Sequence, residues 1–328
     1  MSRCLCCGKE LRNGNEYGWH TACVKSFFGT TKFPDIDVSK ETLNQIALDT
    51  TGKGFTVPGV QKKLSLHLSK EENPRLTLVN YPTGYILKPQ TDEYSALPEM
   101  EYLVMQMAKV SGIKTVPFAL LRLHSQGNAF AYITKRIDRI DGQMLAMEDF
   151  CQLDGRLTED KYRGSYERCG KIVANYSEEK GLNMAELFLR VVFSFAVGNS
   201  DMHLKNFSLI ETTEASSKYL LSAAYDMLST NVVIPKDKDP EQLALTINGK
   251  KQNIRRKDFL IFAETIGLNK KSAEKMIAKI TKLKDKYIVM CNESYMPDDM
   301  KEMLVSLIEE RIEILAGSSI KLQNGFKI

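Results

Sequence analysis

The sequence predicts an α+β chain with a small Cys/His module, a short β-rich region and a larger helical region, in that order. Three observations carry this expectation. Four of the seven cysteines fall within the first 23 residues. Residues 55–140 contain runs that alternate apolar and polar side chains, as half-buried strands do, around one helical interruption. After residue 145 the apolar period lengthens to that of amphipathic helices.

Length and composition narrow the choice further. A chain of 328 residues suggests about two domains. With 43% hydrophobic and 26% charged residues it lies in the ordinary globular range, which excludes wholesale disorder and a disulfide mini-scaffold. The formal net charge of +4 is too small to predict a nucleic-acid-binding face. The most apolar stretch, Val191 to Gly198, is far shorter than the roughly 18–20 residues needed to span a bilayer. Met1-Ser2-Arg3-Cys4 carries no apolar core of a signal peptide. An odd number of cysteines clustered at one end suits a reducing compartment and a metal better than a disulfide framework. The expectation is a soluble cytoplasmic protein.

The first segment, residues 1–33, is dense in Cys, Gly, Asn and aromatic residues. Its strongest pattern is Cys4-x2-Cys7, twelve residues, then His20-x2-Cys23. Each short spacer lets one turn present two ligands, and the longer loop brings the pairs together as a tetrahedral Cys₃His zinc site. So short a segment has little core, and a metal would supply folding energy. Cys6 competes with Cys4 for the first place, although Cys4 has the better spacing to Cys7. A metal-free hairpin with reduced cysteines is the alternative. Pro34 and Asp35 mark the boundary with a β-rich region over 34–140, followed by a helical region over 141–328.

Within the β-rich region, residues 64–68 and 76–79 read as strands joined by a turn at Glu72-Asn73-Pro74. Residues 85–89 form a strand stopped by Pro89. From 99 to 110 the apolar spacing is helical, and Gly112 ends that helix. Residues 116–123 and 129–134 form a hairpin around Ser125-Gln126-Gly127-Asn128. The helical region offers amphipathic segments at 147–153, 159–178, 183–197, 256–265, 270–291 and 297–315. Strand-like pieces at 207–210 and 243–247 interrupt it, and the tail from Gly317 is polar and loose. Cys151, Cys169 and Cys291 are expected as buried fillers, and His67 and His124 as surface residues. The lysine-rich run 269–286 is read as a solvated helix face.

The stretch Gly198-Asn199-Ser200-Asp201-Met202-His203-Leu204-Lys205-Asn206-Phe207 is the most informative. It leaves a helix and enters a strand with an Asp and an Asn five positions apart. Phosphotransferases of the protein-kinase type use this spacing, the Asp orienting the attacking hydroxyl and the Asn binding magnesium. Asp226, in Tyr225-Asp226-Met227 after the apolar run 219–221, suits the second magnesium ligand, because Mg²⁺ takes hard oxygen donors. Upstream, Lys88 ends an apolar strand and can reach nucleotide phosphates if a helical carboxylate holds it. Glu99 and Glu101 both begin the next helix; Glu101 is preferred.

These residues, in this order, resemble the HipA-like kinases of bacterial toxin–antitoxin modules. The similarity lies in the segment from Gly59 to Leu66, in Ile86-Leu87-Lys88-Pro89, and in Lys135-Arg136-Ile137-Asp138-Arg139. It continues through Glu148-Asp149-Phe150-Cys151-Gln152, Gly198 to Phe207, and Tyr225-Asp226-Met227-Leu228-Ser229. The resemblance implies a two-lobed protein-kinase-like fold, with a small β-rich N-lobe and a mostly helical C-lobe behind the zinc-ribbon-like module. It implies ATP- and Mg²⁺-dependent phosphorylation of protein Ser/Thr, with an aminoacyl-tRNA synthetase as a candidate target. Asp201 would be catalytic, Asn206 and Asp226 would bind Mg²⁺, and Lys88, oriented by Glu101, would contact phosphate. The backbone from Lys135 to Ile137 would hold adenine, with Asp138 and His203 near the ribose. A loop containing Thr56, Gly59 and Gln61 would cover the phosphates.

In the family a serine that becomes autophosphorylated stands where this chain has Thr56. Gly52, Gly54 and Gly59 do not form the G-x-G-x-x-G loop of ordinary protein kinases. The chain also lacks the N-terminal subdomain of full-length members, which split systems supply as a separate small protein. A HipB-like helix-turn-helix antitoxin and such a small HipA N-terminal-subdomain-like protein are the expected partners. A catalytically weak kinase-fold binding protein and a small-molecule kinase remain open as alternatives.

Overall fold

A computed structural model describes residues 3–12, 15–36, 63–69, 71–79, 83–123, 127, 129–140, 143–234 and 240–317. The chain divides into two units, Met1–Gln106 with Thr115–Leu145, and Met107–Lys114 with Ala146–Ile328.

The first unit begins with helix α1 (Thr21–Phe28) in the Cys/His segment and the short strand β1 (Asp35–Ile36). Strands β2 (Leu64–Leu68), β3 (Arg75–Val79) and β4 (Tyr85–Pro89) follow, then helix α2 (Leu97–Val110) and strands β5 (Phe118–Leu123) and β6 (Ala129–Lys135). They pair in the order β1-β3-β2-β4-β6-β5, antiparallel except for β1 on β3. The alternation read from the sequence becomes a pleat here. Register places Leu64, Leu87, Ile133 and Ala119 in one buried row across four strands. Lys88, Tyr132 and Leu120 form the adjacent row, on the other face. A two-residue hairpin, β7 (Arg139–Ile140) with β8 (Gln143–Met144), ends the unit.

Up to Gln106, helix α2 is buried on nearly every side, with Met100, Tyr102, Leu103, Val104 and Met105 all inside. A helix that is apolar around most of its circumference belongs inside a core. The Cys/His segment joins the same unit through an aromatic cluster. Trp19 stacks on Phe28 at 5.4 Å, Phe28 meets Tyr85 at 5.6 Å, and the Tyr85 hydroxyl donates to Phe27 O at 3.2 Å. Helix α1 therefore lies on the Tyr85–Leu87 face of the sheet, opposite the face that carries Lys88.

The second unit contains β9 (Met147–Asp149), α3 (Phe150–Leu153), α4 (Tyr166–Tyr176), α5 (Lys180–Val197), β10 (Ser208–Glu211) and β11 (Tyr219–Leu221). Helices α6 (Thr230–Val233), α7 (Arg256–Thr265), α8 (Lys270–Thr281), α9 (Lys284–Asn292) and α10 (Asp298–Ala316) complete it. Helix α5 is its axis and is buried almost throughout from Asn183 to Val197. Phe188 stacks on Phe262 at 5.8 Å, Phe195 meets Phe259 edge-on at 5.2 Å, and Phe193 meets Tyr287 at 6.3 Å. Among the described residues no helix is long and apolar enough to cross a membrane.

Several sequence expectations need correction. Residues 147–149 form a strand, because β9 pairs with β10, and only Phe150–Leu153 is helical. The segment 159–178 starts its helix at Tyr166, capped by Ser165 and preceded by a 3₁₀ turn at Thr158–Asp160. The run 270–291 breaks at Lys282–Leu283 into α8 and α9, without a Gly or Pro to signal the break. Residues 243–247 are not a strand. Leu243, Ala244, Leu245 and Ile247 are all buried, and the only pairings there are isolated bridges at Thr246 and Ile247. Cys151, Cys169 and Cys291 are buried and His67 is exposed on β2. His124 and the tail beyond residue 317 lie outside the described residues.

Helix α5 ends at Gly198, which takes φ +69° and passes the chain into the motif loop. A Cβ there would lie 2.8 Å from Leu307 Cδ2 and 3.2 Å from Ser229 Oγ. Gly198→Ala is expected to destabilise the protein by about 1–3 kcal/mol, since left-handed backbone disfavours a side chain. Urea unfolding of the two proteins measures this.

Candidate active site and metal centre

In the first unit, strand β4 delivers Lys88 onto the face covered by α2. Its Nζ donates to both Glu101 oxygens, at 2.6 and 2.8 Å, and lies 5.3 Å from the centre of the Tyr132 ring. The side chains are 5% and 1% exposed, so the pair is desolvated and each charge depends on the other. Glu101 of the two candidate carboxylates makes this contact. Glu99 is half-buried, and that desolvation raises its carboxyl above the usual range; its Oε2 has no partner among the described residues.

The segment after β6 is committed in part. Lys135 N donates to Pro117 O and Arg136 N donates to Gly84 O. Asp138 is buried between two guanidinium groups, 2.6 Å from Arg136 and 3.3 Å from Arg139. Ile137 lies between these anchored positions. Thr56, Gly59 and Gln61 lie outside the described residues.

In the second unit, the motif loop is built from backbone-directed bonds. Asn199 Oδ1 accepts from Asp201 N at 3.1 Å, and Asn206 Nδ2 donates to Asp201 O at 2.7 Å. That second bond closes the six-residue turn and assigns the amide's nitrogen inward, leaving its oxygen as a donor atom for a cation. Ser200 ties the loop to Thr230 through its N at 2.7 Å and its Oγ at 2.8 Å. His203 Nε2 stands 3.8 Å from Asp201 Oδ1.

The β10–β11 hairpin brings Asp226 to this loop. Leu209 pairs with Leu221, and Ser222 N donates to Ser208 O at 2.9 Å, so the chain returns alongside residues 205–208. Tyr225 then bonds Ser208 Oγ at 2.5 Å and Lys205 O at 3.1 Å. Asp226 follows with φ +56°, a left-handed conformation that Asp tolerates better than most residues but that still stores strain. Strained backbone of this kind concentrates at functional sites. Buried Arg190 of α5 supports the same strand end by donating to Ser222 O at 2.6 Å. Burial lowers the Arg190 pKa and Glu186, at 2.9 Å, opposes that shift.

Three contributors escaped the sequence reading. The Tyr162 hydroxyl donates to Asp201 Oδ1, and its ring meets His203 edge-on at 4.9 Å. No spacing rule points to Tyr162. Asp149 caps α3 in a reciprocal box with Gln152 and pairs with Lys205 at 2.7 Å, which holds the motif loop to β9. The Asp-x2-Gln spacing in Asp149-Phe150-Cys151-Gln152 was the available signal. Phe150 stacks on Phe207 at 5.6 Å beside it.

At the N-terminus, Cys4, Cys7, His20 and Cys23 converge so that their ligand atoms all lie within 4.8 Å of one another. Cys4, not Cys6, completes the group. His20 Nδ1 is 3.5 Å from Cys7 Sγ and 3.8 Å from Cys23 Sγ, while Nε2 sits 3.0 Å from Glu10 O. A carbonyl acceptor on Nε2 sets the tautomer that leaves Nδ1 free to ligate. Burial disfavours the Cys4 thiolate, but N–H groups of Cys7, His20 and Cys6 outweigh it and lower the pKa. Burial and then the neighbouring Cys6 and Cys4 sulfurs push the Cys23 thiol strongly up. Mutual repulsion among sulfurs is what a tetrahedral cation relieves.

The HipA-like C-terminal domain description matches residues 55–287. The chain belongs to this HipA-like family. A Haemophilus influenzae protein named "Putative kinase" is 29% identical over 289 residues, spanning 80% of this chain and 82% of its own. A Sinorhizobium fredii protein, "Putative kinase Y4dM", is 33% identical over 214 residues, which is 60% of this chain and 50% of that one. Among solved structures, HipA of Shewanella oneidensis, in a complex with HipB and operator DNA, superposes with a TM-score of 0.66 at 21% identity. That match covers 80% of this chain, which spans 65% of that HipA. The Helicobacter pylori proinflammatory kinase CtkA superposes with a TM-score of 0.54 at 17% identity, over 78% of this chain and 97% of CtkA. The α+β fold of this HipA-like chain is thus kinase-like, with a curled sheet and a helical part.

The buried pair gives a direct test of the local energetics. Glu101→Gln is expected to destabilise the fold by about 3–5 kcal/mol, because it removes the carboxylate charge paired with the buried Lys88 ammonium. Replacing both partners, Lys88→Met with Glu101→Leu, should recover most of that loss. Denaturant midpoints of the three proteins check the ordering.

Proposed function

We propose that this chain is an ATP- and magnesium-dependent protein serine/threonine kinase that serves as the toxin of a type II toxin–antitoxin module. The observation that carries the reading is the Asp201–Asn206 turn, closed by the Asn206 amide and tied through Tyr225 to the segment that carries Asp226 in left-handed backbone. A carboxylate, an amide oxygen and a second carboxylate are the hard donors that Mg²⁺–nucleotide chemistry needs. Bound there, magnesium would neutralise charge on the transferring phosphates.

In this reading Asp201 orients the attacking hydroxyl, and Asn206 and Asp226 hold the metal. Lys88, held by Glu101, contacts phosphate; the Lys135–Ile137 backbone takes the adenine, and Asp138 and His203 border the ribose. Thr56, Gly59 and Gln61 belong to the phosphate-covering loop, and Thr56 is the position for autophosphorylation. The Tyr162 hydroxyl engages the Asp201 oxygen that a substrate hydroxyl would use, so Tyr162 gives way when substrate arrives.

Relatives named as putative kinases support the activity. HipA with HipB and operator DNA supports a HipB-like helix-turn-helix partner, and a small HipA N-terminal-subdomain-like protein is the second proposed partner. The small net charge argues that DNA contact would come through the antitoxin. An aminoacyl-tRNA synthetase is the candidate substrate. Asp201→Asn should leave nucleotide binding intact and lower phosphate transfer to lysate proteins by roughly 100-fold or more. Radiolabelled ATP with magnesium and a bacterial lysate measures this. Equal protein labelling by the variant rejects the assignment, and label confined to small molecules replaces the protein-kinase reading.

Cys4, Cys7, His20 and Cys23 are assigned to a closed structural zinc site. One zinc per chain is expected, with sulfur–zinc distances of about 2.3 Å. Elemental analysis and X-ray absorption should show it, and Cys4→Ser with Cys7→Ser should abolish it.

A further inference from the structure

The metal module touches helix α2 on the residues next to Glu101. The Tyr102 hydroxyl donates to Cys4 O at 3.3 Å, and Gln106 Nε2 donates to Cys6 O at 3.3 Å. Tyr102 and Gln106 are one turn apart on a single face of the helix. Both acceptor carbonyls lie in the Cys4–Cys7 turn, which also receives Gly8 N on Cys4 O at 2.9 Å. A Cβ added to Gly8 would stand 3.5 Å from the Tyr102 hydroxyl, so the turn is seated closely on this face.

The same turn is anchored to the sheet. Strand β5 is an edge strand, and its outer side is covered where Leu120 N donates to Leu5 O at 2.9 Å. Trp19 Nε1 donates to Leu120 O at 3.2 Å, and Cys4, Leu5 and Trp19 are all buried. The module thus wraps the β5 edge, from α1 on one face to α2 on the other. A Cys-x2-Cys turn holds its carbonyls in place when its two sulfurs share a metal, and loosens when they do not.

We propose that this Cys/His centre is a positioning device for the active site: metal on Cys4 and Cys7 holds α2 through Tyr102 and Gln106, and thereby sets Glu101 on Lys88. Metal occupancy and the state of the thiols then govern nucleotide affinity from outside the nucleotide site. Tyr102 and Gln106 are positioning residues, acting through Glu101. The inference rests on the zinc and ATP readings above, and its test separates the three.

The full chain is purified with zinc, then stripped with a chelator under reducing conditions before magnesium is restored. Zinc content, hydrogen exchange of the helix over 97–106 and affinity for a non-hydrolysable ATP analogue are measured before and after. Stripping should speed exchange in 97–106 and weaken the analogue roughly threefold to tenfold, the range expected for one or two lost hydrogen bonds. The double variant Tyr102→Phe with Gln106→Leu should keep one zinc, bind the analogue as weakly as the stripped protein, and no longer respond to stripping. That insensitivity is a readout that general destabilisation does not produce. Stripping that changes neither exchange nor affinity overturns the proposal while leaving the zinc reading intact, as does a double variant that responds like the parent. A chain that never holds zinc overturns both. If the parent binds no analogue, the ATP reading fails by itself and exchange in 97–106 decides the coupling.

Discussion

An ammonium group inside a protein must keep its counter-charge, and the first unit is arranged around that requirement. Lys88 points from the middle of a six-stranded sheet, beneath a tyrosine ring, and Glu101 pairs with it at 2.6 Å. For Glu101 to reach it, α2 must lie flat against that face, which explains why the helix is apolar around most of its surface. Tyr102 is then directed toward Phe118 and the Cys/His turn. Two apolar residues in place of the pair would often serve stability equally well, so stability alone does not explain why Lys88 and Glu101 stand there. The proposed phosphate contact does explain it.

In the second unit the comparable constraint is backbone geometry. Asp201, Asn206 and Asp226 lie on short connecting segments, where bonds involving main-chain groups, the Tyr162 hydroxyl and a strained φ hold them. Positioning of this kind comes from rigid neighbours. Gly198 redirects the chain out of α5, Ser200 pins it to Thr230, and Lys205 reaches Asp149 at the cap of α3. Tyr225 fastens the returning strand across the hairpin. A loop held at so many points can keep hard oxygen donors pre-set, which is what phosphoryl-transfer chemistry demands of a protein.

Much of this was legible in the residues because local rules and tertiary demands agree. The alternating runs 64–68 and 76–79 and the strands read at 85–89 and 129–134 became paired strands, and the Cys-x2-Cys and His-x2-Cys pairs converged with Cys4 in the first place. Where they disagree, the reading failed for identifiable reasons. Leu243 to Ile247 looked like a strand because its residues are apolar, but full burial on both sides needs no ladder partner. Residues 147–149 looked helical until pairing with β10 outweighed their weak preference. Tyr162 left no trace, since its bond to Asp201 joins residues 39 positions apart.

By itself the sequence supplied the residue types of the proposed site and their order: Lys88, a helical Glu, the Asp-x4-Asn motif, a later Asp, and four metal-type ligands. It did so because spacing along one element is a local property, governed by the period of a helix, strand or turn. Only the tertiary structure decided between Glu101 and Glu99, showed the Cys4–Cys7 turn seated on α2, and revealed Asp149 as the brace of the motif loop. Those choices depend on which face of each element is turned inward. That is settled by packing between distant segments, where burial lets a single contact outweigh many local preferences.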